Sequence, residues 1–483
     1  MNDVNARAKQ GIKLLMGRQV FLQIFTFVGG VVLSRVLDPA EFGLYAIVNF
    51  LVGTFSLFGD FGLVPSFIQR RSELTEIDLR VGFTLQQIMI TLVVFTLFIA
   101  APWLVNLYPQ APMGTVWLVR ILAFNLYFNS WRSMSALNLE RGLQYDRLVR
   151  VEVAAVLSYQ GILVILALRG YGVWSFAVAT LTSGLLSVLL MYLVAPWRVR
   201  FGFDKKVAKD ILRFGIPFQL QNIASQAGGW LTPFVVGRLI GTEAVGYLSW
   251  SSSQANKPLV IVENILRVAF PHFARIQDNR SEIERLVSRY LSYLLLLSGL
   301  WFVILLLAGP LLVRWIYTEK WLPAVPAMVL YAAAISFHLV IWLTGIALNS
   351  CGLVGLNTRL VLLRTVGQIV LGIPLVFFTG YIGVPIAYLL VEMAMMPWVI
   401  SSLGRGAAGR ILKPLSWVLI SITFGILAGS TILLTSFPLY VKAVITSVAA
   451  CMAYLGTFWI VGPQWLKDSV TKDLLTRLRA LRT

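Results

Sequence analysis

Charged residues are scarce in this sequence. Of its 483 residues, 13% are charged, whereas 58% are hydrophobic. A soluble globular chain carries about a quarter charged residues, so this chain has too few polar groups to make a surface that water could cover. The composition therefore excludes an ordinary soluble domain and requires lipid around most of the chain.

Cysteine and histidine are scarcer still, with two residues of each. Cys351 and Cys451 form no CxxC pair and no Cys/His cluster, which is the pattern that a metal site would need. The sequence also lacks a nucleophile with a base and an orienting group, and a glycine-rich loop that would hold a phosphate. It therefore predicts no enzyme, no metal and no cofactor.

Acidic residues are outnumbered by basic ones, 21 against 40, which leaves a net charge of +19. In a soluble protein such a charge would suggest a nucleic-acid partner. Here most Lys and Arg residues stand in short connections between apolar runs, where the positive-inside rule places them. No basic stripe is interleaved with stacking aromatic residues, so we predict membrane lipid and no nucleic acid as a partner.

Long apolar runs are abundant, and a helix that spans a membrane needs about 20 mostly apolar residues. The connections between the runs alternate in charge: Asp38–Glu41 is acidic and Gln69–Arg71, after the next run, is basic. This alternation predicts an all-α integral membrane protein with about 14 transmembrane helices and both termini in the cytoplasm. The runs are centred near Phe25, Leu51, Val94, Phe124, Val164, Gly184, Gly228, Pro258, Leu300, Ser336, Val370, Val391, Ile422 and Ser447.

The sequence repeats itself at a shift of 203 positions, which carries Arg35 onto Arg238 and Gly43 onto Gly246. Spans 1–6 and 7–12 are therefore interpreted as two copies, and an even spacing of six spans predicts a parallel repeat. We predict an N-lobe at 1–203 and a C-lobe at 204–405, each of six helices. Two extra helices follow at 406–462. An amphipathic cytoplasmic tail at 463–483 is predicted to lie on the membrane surface, with a disordered tail as the alternative.

Polar residues recur at helical spacing on spans 1, 2, 7 and 8, in matching positions of the two copies. On span 7, Gln219, Asn222, Gln226, Gly229 and Pro233 follow at steps of three and four. Two-lobed transporters bind substrate between their lobes, so these stripes predict a hydrated cavity there. The alternative is helix packing, in which amide and small residues hold helices together. The stripe residues predicted to contact substrate are Gln19, Gln23, Asn49, Asn222, Gln226 and Asn256.

Two charges in the first copy should lie at the same depth in the membrane. Arg18 and Asp60 stand equally far from the turn at Pro39, on antiparallel helices. A charge inside a span is costly and marks either a functional site or a structural ion pair. We predict that both residues line the cavity, with a structural pair as the alternative.

The second copy carries a related set of charges. Glu263 is the repeat mate of Asp60, and Arg267 follows it by four residues on the same helix face. Lys257 lies nearer the middle of the membrane, from where its side chain reaches either surface poorly. We predict that Lys257, Glu263 and Arg267 also contact substrate, and that Lys257 and Arg18 are the best candidates to bind an anionic ligand.

Other ionisable residues inside spans are interpreted singly. His338 lies in the middle of a span and could titrate, but it is predicted to be a core residue with a satisfied ring. Glu152 and Glu392 are single acids without an evident partner. Arg120, Arg132 and Arg364 are weaker candidates for an anionic ligand, because each could reach the membrane surface or cap a neighbouring helix.

The chain resembles the Wzx-type oligosaccharide flippase family, a polysaccharide-transporter branch of the multidrug/oligosaccharidyl-lipid/polysaccharide exporter superfamily. The resemblance rests on LSRVLDPAEFGLYA at Leu33–Ala46, on FGDFGL at Phe58–Leu63 and on Ile68-Gln69. It extends along the whole chain in the helix count and the two-lobe repeat.

This resemblance implies a flippase in the bacterial inner membrane. Such a protein moves an undecaprenyl-diphosphate-linked oligosaccharide to the periplasmic leaflet by alternating access, for exopolysaccharide, capsule or O-antigen assembly. Candidate protein partners are a polysaccharide polymerase and a chain-length regulator. The diphosphate suits cavity cations, although Asp60 and Glu263 offset them and speak against a very acidic substrate. The alternatives are an ion-coupled drug or small-molecule antiporter of the related branch, and a structural scaffold for a glycan-assembly complex.

Overall fold

The computed structural model describes residues 21–60, 63, 67, 75–142, 144–196, 200–277, 279–404 and 407–465. Every regular element within these ranges is a helix, which confirms the all-α prediction. Nine stretches in the described ranges are long and apolar enough to cross a membrane. Large apolar side chains lie on the outside of the helices, where Trp103 is 67% and Phe378 is 85% exposed. The chain is therefore a multi-pass membrane protein, because such a surface needs lipid as its solvent.

The chain divides into two compact units, Met1–Gly246 and Tyr247–Thr483. The long helices of the first unit, within its described residues, are seven and the start of an eighth. They are α1 (Phe21–Val36), α2 (Pro39–Asp60), α3 (Glu76–Asn106), α4 (Thr115–Arg141), α5 (Tyr145–Leu168), α6 (Trp174–Val194), α7 (Lys205–Gln226) and the beginning of α8 (Thr242–Ala255).

The second unit contains the end of α8 and, within its described residues, seven further long helices. They are α9 (Leu259–Arg275), α10 (Arg280–Leu307), α11 (Val325–Ser350), α12 (Val354–Thr379), α13 (Gly383–Leu403), α14 (Ala407–Leu433) and α15 (Leu439–Val461). Helices α14 and α15 pack against each other and against α10. Tyr454 is fully buried at this contact and donates its hydroxyl to the carbonyl of Leu296 at 3.1 Å.

The start of α2 follows directly from its sequence. Pro39 occupies the first helical position, where its missing N–H costs nothing. The carboxylate of Glu41 accepts a hydrogen bond from the backbone N–H of Asp38 at 2.9 Å. This is one half of a capping box, so the same four residues that form the acidic connection also begin the helix.

Two glycines allow α2 and the start of α8 to cross in backbone contact, inside the first unit. A Cβ added at Gly43 would overlap the carbonyl oxygen of Thr242, and one added at Gly246 would overlap that of Pro39. Only glycine lets two helix backbones come this close. The contact is reciprocal, since Gly43 and Gly246 are the residues related by the 203-position shift.

Predicted spans 7 and 8 are not regular helices. After α7 the chain forms a 3-10 segment, Ala227–Trp230, and then a π-helical segment, Leu231–Val236. Gly229 and Pro233 therefore do not continue the polar stripe of α7: Gly229 is exposed and Pro233 is buried. Span 8 is broken between α8 and α9, because Pro258 has no backbone N–H to give to the helix.

Candidate substrate site

The predicted site residues of the first unit lie on α1, α2 and α7. Asn49 and Gln226 are exposed, whereas Gln23 and Asn222 are half-buried. Asp60 is the last residue of α2, and the position of its side chain lies outside the description. Arg18 and Gln19 also lie outside the described residues. The part of the predicted cavity that the first unit would contribute therefore stays a prediction.

The predicted residues of the second unit lie around the break between α8 and α9. Asn256 is exposed and donates its amide to the hydroxyl of Ser252 at 3.1 Å. Glu263 is exposed on α9. Arg267 stands on the same helix, but its side chain is outside the description. Whether these residues contact substrate stays a prediction.

Lys257 is held in place at the break. Its ammonium donates a hydrogen bond to the hydroxyl of Tyr317 at 3.2 Å, and Tyr317 donates to the side-chain oxygen of Gln254 at 3.1 Å. The indole N–H of Trp301 donates to the backbone oxygen of Gln254 at 3.2 Å. Lys257 therefore presents a half-buried cation from a defined position, and a positioned ammonium is suited to an oxyanion ligand.

A polar cavity that the sequence analysis missed lies inside the first unit. Three polar residues of α4, Asn125, Asn129 and Arg132, follow at steps of four and three and line a cavity of about 370 Å³. Helical spacing places them on one face. The signal was present in the sequence, but it lies in a span where no polar stripe was predicted.

Helices α5 and α6 form the other walls of this cavity. Glu152 comes from α5, and Thr180, Ser183 and Ser187 come from one face of α6. Because Arg132 and Glu152 face the same space, the acid that the sequence left without a partner shares its surroundings with a cation. We call this space the amide cavity, after Asn125 and Asn129.

A smaller cavity of about 210 Å³ adjoins the amide cavity through Asn129, which lines both. Its wall includes Gln86 and Ser133, whose side chains lie 3.4 Å apart across α3 and α4. Next to them, Gln87 donates to the hydroxyl of Ser130 at 2.8 Å. These polar residues join two helices, so at this wall the packing interpretation of polar stripes holds.

The amide cavity has unused hydrogen-bonding capacity. The side-chain oxygen of Asn125 is buried and has no hydrogen-bond partner. A buried polar atom without a partner is costly, so such an atom needs an explanation in a ligand or a water. Amides and hydroxyls both accept and donate, as sugar hydroxyls do, and Arg132 adds a cation that an anionic group can approach.

A family model described as "Polysaccharide biosynthesis protein" matches residues 32–326. That match covers more than half of the chain. It includes the turn before α2, the residues of α4, α5 and α6 that line the amide cavity, and Lys257.

Three curated relatives match over part of their length. The teichuronic acid biosynthesis protein TuaB of Bacillus subtilis is 27% identical over 56% of this chain and 56% of its own. The succinoglycan biosynthesis transport protein ExoT of Rhizobium meliloti is 25% identical over 63% of this chain and 62% of its own. The lipopolysaccharide biosynthesis protein WzxC of Escherichia coli is 24% identical over 62% and 60%. The chain thus matches less than two thirds of the length of these relatives.

Solved structures share the fold at low sequence identity. The lipid II flippase MurJ, in an inward closed conformation, aligns with a TM-score of 0.74 and 15% identity, over 95% of this chain and 100% of its own. An inward-facing MATE multidrug resistance transporter aligns with a TM-score of 0.60 and 17% identity, over 79% and 94%. At such identities the comparison shows a shared fold and nothing further.

Proposed function

Because this chain belongs to the polysaccharide biosynthesis protein family, we propose that it is a flippase for a lipid-linked oligosaccharide. Its substrate would be an oligosaccharide on undecaprenyl diphosphate, moved from the cytoplasmic to the periplasmic leaflet of the bacterial inner membrane. The observation that carries this proposal is the amide cavity. Neutral hydrogen-bonding groups, Arg132 and Glu152 line a space between membrane-spanning helices, where polar groups would be costly without a polar ligand.

Different residues would contact different parts of such a substrate. Asn125, Asn129 and the hydroxyls of α6 suit the sugar, because each can both donate and accept. The cations Arg132 and Lys257 suit the diphosphate. Several weak contacts suit a carrier, since one tight site would slow the release of substrate. The names of TuaB, ExoT and WzxC all refer to the making of polysaccharides and support the same substrate class.

The proposed architecture has fourteen crossings, two parallel six-helix lobes at 1–203 and 204–405, and both termini in the cytoplasm. The count follows if α8 and α9 are two halves of one crossing. The reciprocal contact of Gly43 and Gly246 supports the repeat, because an axis between two copies places equivalent residues opposite each other.

Reporter fusions test this topology. A fusion at Gly241 and a fusion at Lys206 flank the seventh crossing and are expected on opposite sides of the membrane, with Lys206 on the basic, cytoplasmic side. The measurement is the activity of a paired reporter that works on one side only. Finding both fusions on one side would contradict the topology.

Arg132→Gln is expected to lower export of the oligosaccharide by about 10-fold or more, because a hydrogen bond to a charged group contributes about 1.5–3 kcal/mol. The matched control is Arg120→Gln on the same helix, since Arg120 lies over the rings of Phe98 and Trp117, at 4.5 and 4.9 Å, and not in the cavity. Export is measured as surface polysaccharide at equal amounts of folded protein. Equal export by both variants would remove the amide cavity from the proposal.

A drug or small-molecule antiporter is the second candidate, favoured by the shared fold with the MATE transporter. The two functions separate in one experiment. Deleting the gene should leave the oligosaccharide on the cytoplasmic leaflet if the protein is a flippase. If it is an antiporter, the deletion should raise the cellular content of organic cations and leave the polysaccharide unchanged.

A further inference from the structure

Three ionisable side chains meet near the midpoints of three helices in the second unit. His338 lies on α11, Arg364 on α12 and Glu392 on α13. The Glu392 side chain is fully buried, and those of His338 and Arg364 are each 17% exposed. Three residues that were interpreted singly from the sequence are thus one buried cluster, at a depth where charge is costly and marks function.

The Nδ1 atom of His338 has two partners that it cannot satisfy together. It lies 3.2 Å from the Oε1 atom of Glu392 and 3.0 Å from the Nη1 atom of Arg364. Bonding to the carboxylate requires a proton on Nδ1, whereas bonding to the guanidinium requires its lone pair. The observed arrangement is therefore compatible with two hydrogen-bonding states of His338, and these two states exclude each other.

The cluster has capacity to change partners. The second carboxylate oxygen of Glu392 and the Nε atom of Arg364 are both buried without a hydrogen-bond partner. The Nη1 atom of Arg364 is 3.5 Å from the Oε1 atom of Glu392, so a small rotation of either group alters the pairing. Since the arginine stays charged at any physiological pH, the group that changes must be the imidazole or the carboxylate.

The titratable groups that stand beside the cluster include two tyrosines, and α9, which also packs against α11, carries Glu263 and Arg267. Tyr388, on α13, places its ring 6.1 Å from that of His338, and Tyr331, on α11, lies 6.0 Å from Tyr388. The ring of Trp342 lies 5.8 Å from that of His338.

We propose that His338 is a reversible proton-binding site, and that protonation exchanges the partner of its Nδ1 atom from Arg364 to Glu392. In the neutral state Nδ1 accepts from the guanidinium. When a proton from water adds to Nδ1, the new N–H donates to the carboxylate and the bond to Arg364 breaks. The cluster then changes from a net charge of zero to one positive charge.

A buried charge without a counter-ion is costly, so the protonated cluster favours a different packing of the helices around it. In a carrier, this would couple proton binding to the conformational cycle. That link rests on the proposed transport function, whereas proton binding by His338 does not.

Histidine-selective nitrogen NMR tests the proposal directly. The chain has two histidines, so His272→Gln leaves His338 as the only labelled ring. As the pH is lowered, the Nδ1 signal is expected to change from an acceptor to a proton-bearing nitrogen. A signal that keeps one state at every pH would overturn the proposal. It would show that the ring is fixed either as a neutral acceptor or as a protonated partner of Glu392.

The coupling has its own test in vesicles that carry the full-length protein. The rate at which the parent protein translocates the oligosaccharide is expected to differ about 10-fold between pH 6 and pH 8. The rate for His338→Gln should be nearly the same at both pH values. A pH dependence that survives in His338→Gln would overturn the coupling. If the protein moves no lipid-linked oligosaccharide at all, the proposed function fails while the NMR titration still stands, so the two failures are distinguishable.

Discussion

Gly43→Ala is expected to destabilise the protein by about 1–3 kcal/mol or more, because the added methyl group has no space. The atom that it would meet is the carbonyl oxygen of Thr242. A backbone atom cannot rotate away as a side chain can, so α2 and the start of α8 must move apart. The same holds for Gly246→Ala against Pro39.

Gly53→Ala on the same helix is the matched control. No atom lies within 4 Å of a Cβ added there, and alanine favours a helix over glycine by about 1 kcal/mol. The control should therefore be unchanged or slightly stabilised. The double variant Gly43→Ala/Gly246→Ala should cost less than the sum of the two single variants, because the first substitution already separates the helices.

The measurement is the midpoint of thermal unfolding in detergent for all four variants. If Gly43→Ala and Gly53→Ala unfold at the same midpoint temperature, the backbone crossing is not present in the folded protein. If the double variant costs the full sum, the two glycines act in separate contacts, and the reciprocal crossing is wrong.

Lys257→Gln is expected to lower export by about 10–100-fold while the protein still folds, because it removes a cation that would contact the diphosphate. Lys257→Arg keeps the charge and should restore part of the export. Tyr317→Phe removes the hydroxyl that positions the ammonium at 3.2 Å, and should give an intermediate loss of a few-fold, as a neutral hydrogen bond contributes about 1 kcal/mol.

The control for this series is Lys442→Gln. Lys442 donates to the backbone oxygen of Leu433 at 3.3 Å, between α14 and α15, away from the break that holds Lys257. Export at equal protein abundance is again the measurement. Normal export by Lys257→Gln would show that the cation holds Tyr317 and serves the structure alone.

Arg18→Gln is expected to behave like Lys257→Gln, with Arg18→Lys partly restoring export.

Local signals in the sequence predicted local structure well. The acidic connection at Asp38–Glu41 contains a proline at the first helical position and a glutamate that caps the turn, so the start of α2 could be predicted from four residues. Apolar run length predicted the membrane class, because every span must be covered by lipid or by another helix.

Irregular backbone was harder to predict. Pro258 stands in the middle of an apolar run, and hydropathy alone does not say whether a proline kinks a helix or breaks it. The break places Lys257 in a turn, so its side chain does not follow the spacing of the helix after it. Irregular backbone also explains Gly229 and Pro233. They lie in a 3-10 and a π-helical segment, so the α-helical spacing that assigned them to the polar stripe does not apply there.

Contacts between helices that are distant in the sequence could not be predicted from it. From the sequence, His338 was a satisfied core residue, Arg364 a cation that could cap a helix and Glu392 an acid without a partner. Their contact depends on how α11, α12 and α13 pack. The amide cavity is an intermediate case. The spacing of Asn125, Asn129 and Arg132 was visible along α4, but the walls from α5 and α6 that make it a cavity were not.

The central claim is that this protein moves a lipid-linked oligosaccharide across a bilayer. The most direct test places the purified full-length protein in liposomes that contain fluorescent undecaprenyl-diphosphate oligosaccharide, and follows how much of it an enzyme or quencher outside can reach. The account predicts that the parent protein exposes the inner-leaflet substrate, that Arg132→Gln and Lys257→Gln are slower by about 10-fold or more, and that Arg120→Gln matches the parent. Substrate that stays on its original leaflet with the folded parent protein would contradict the account.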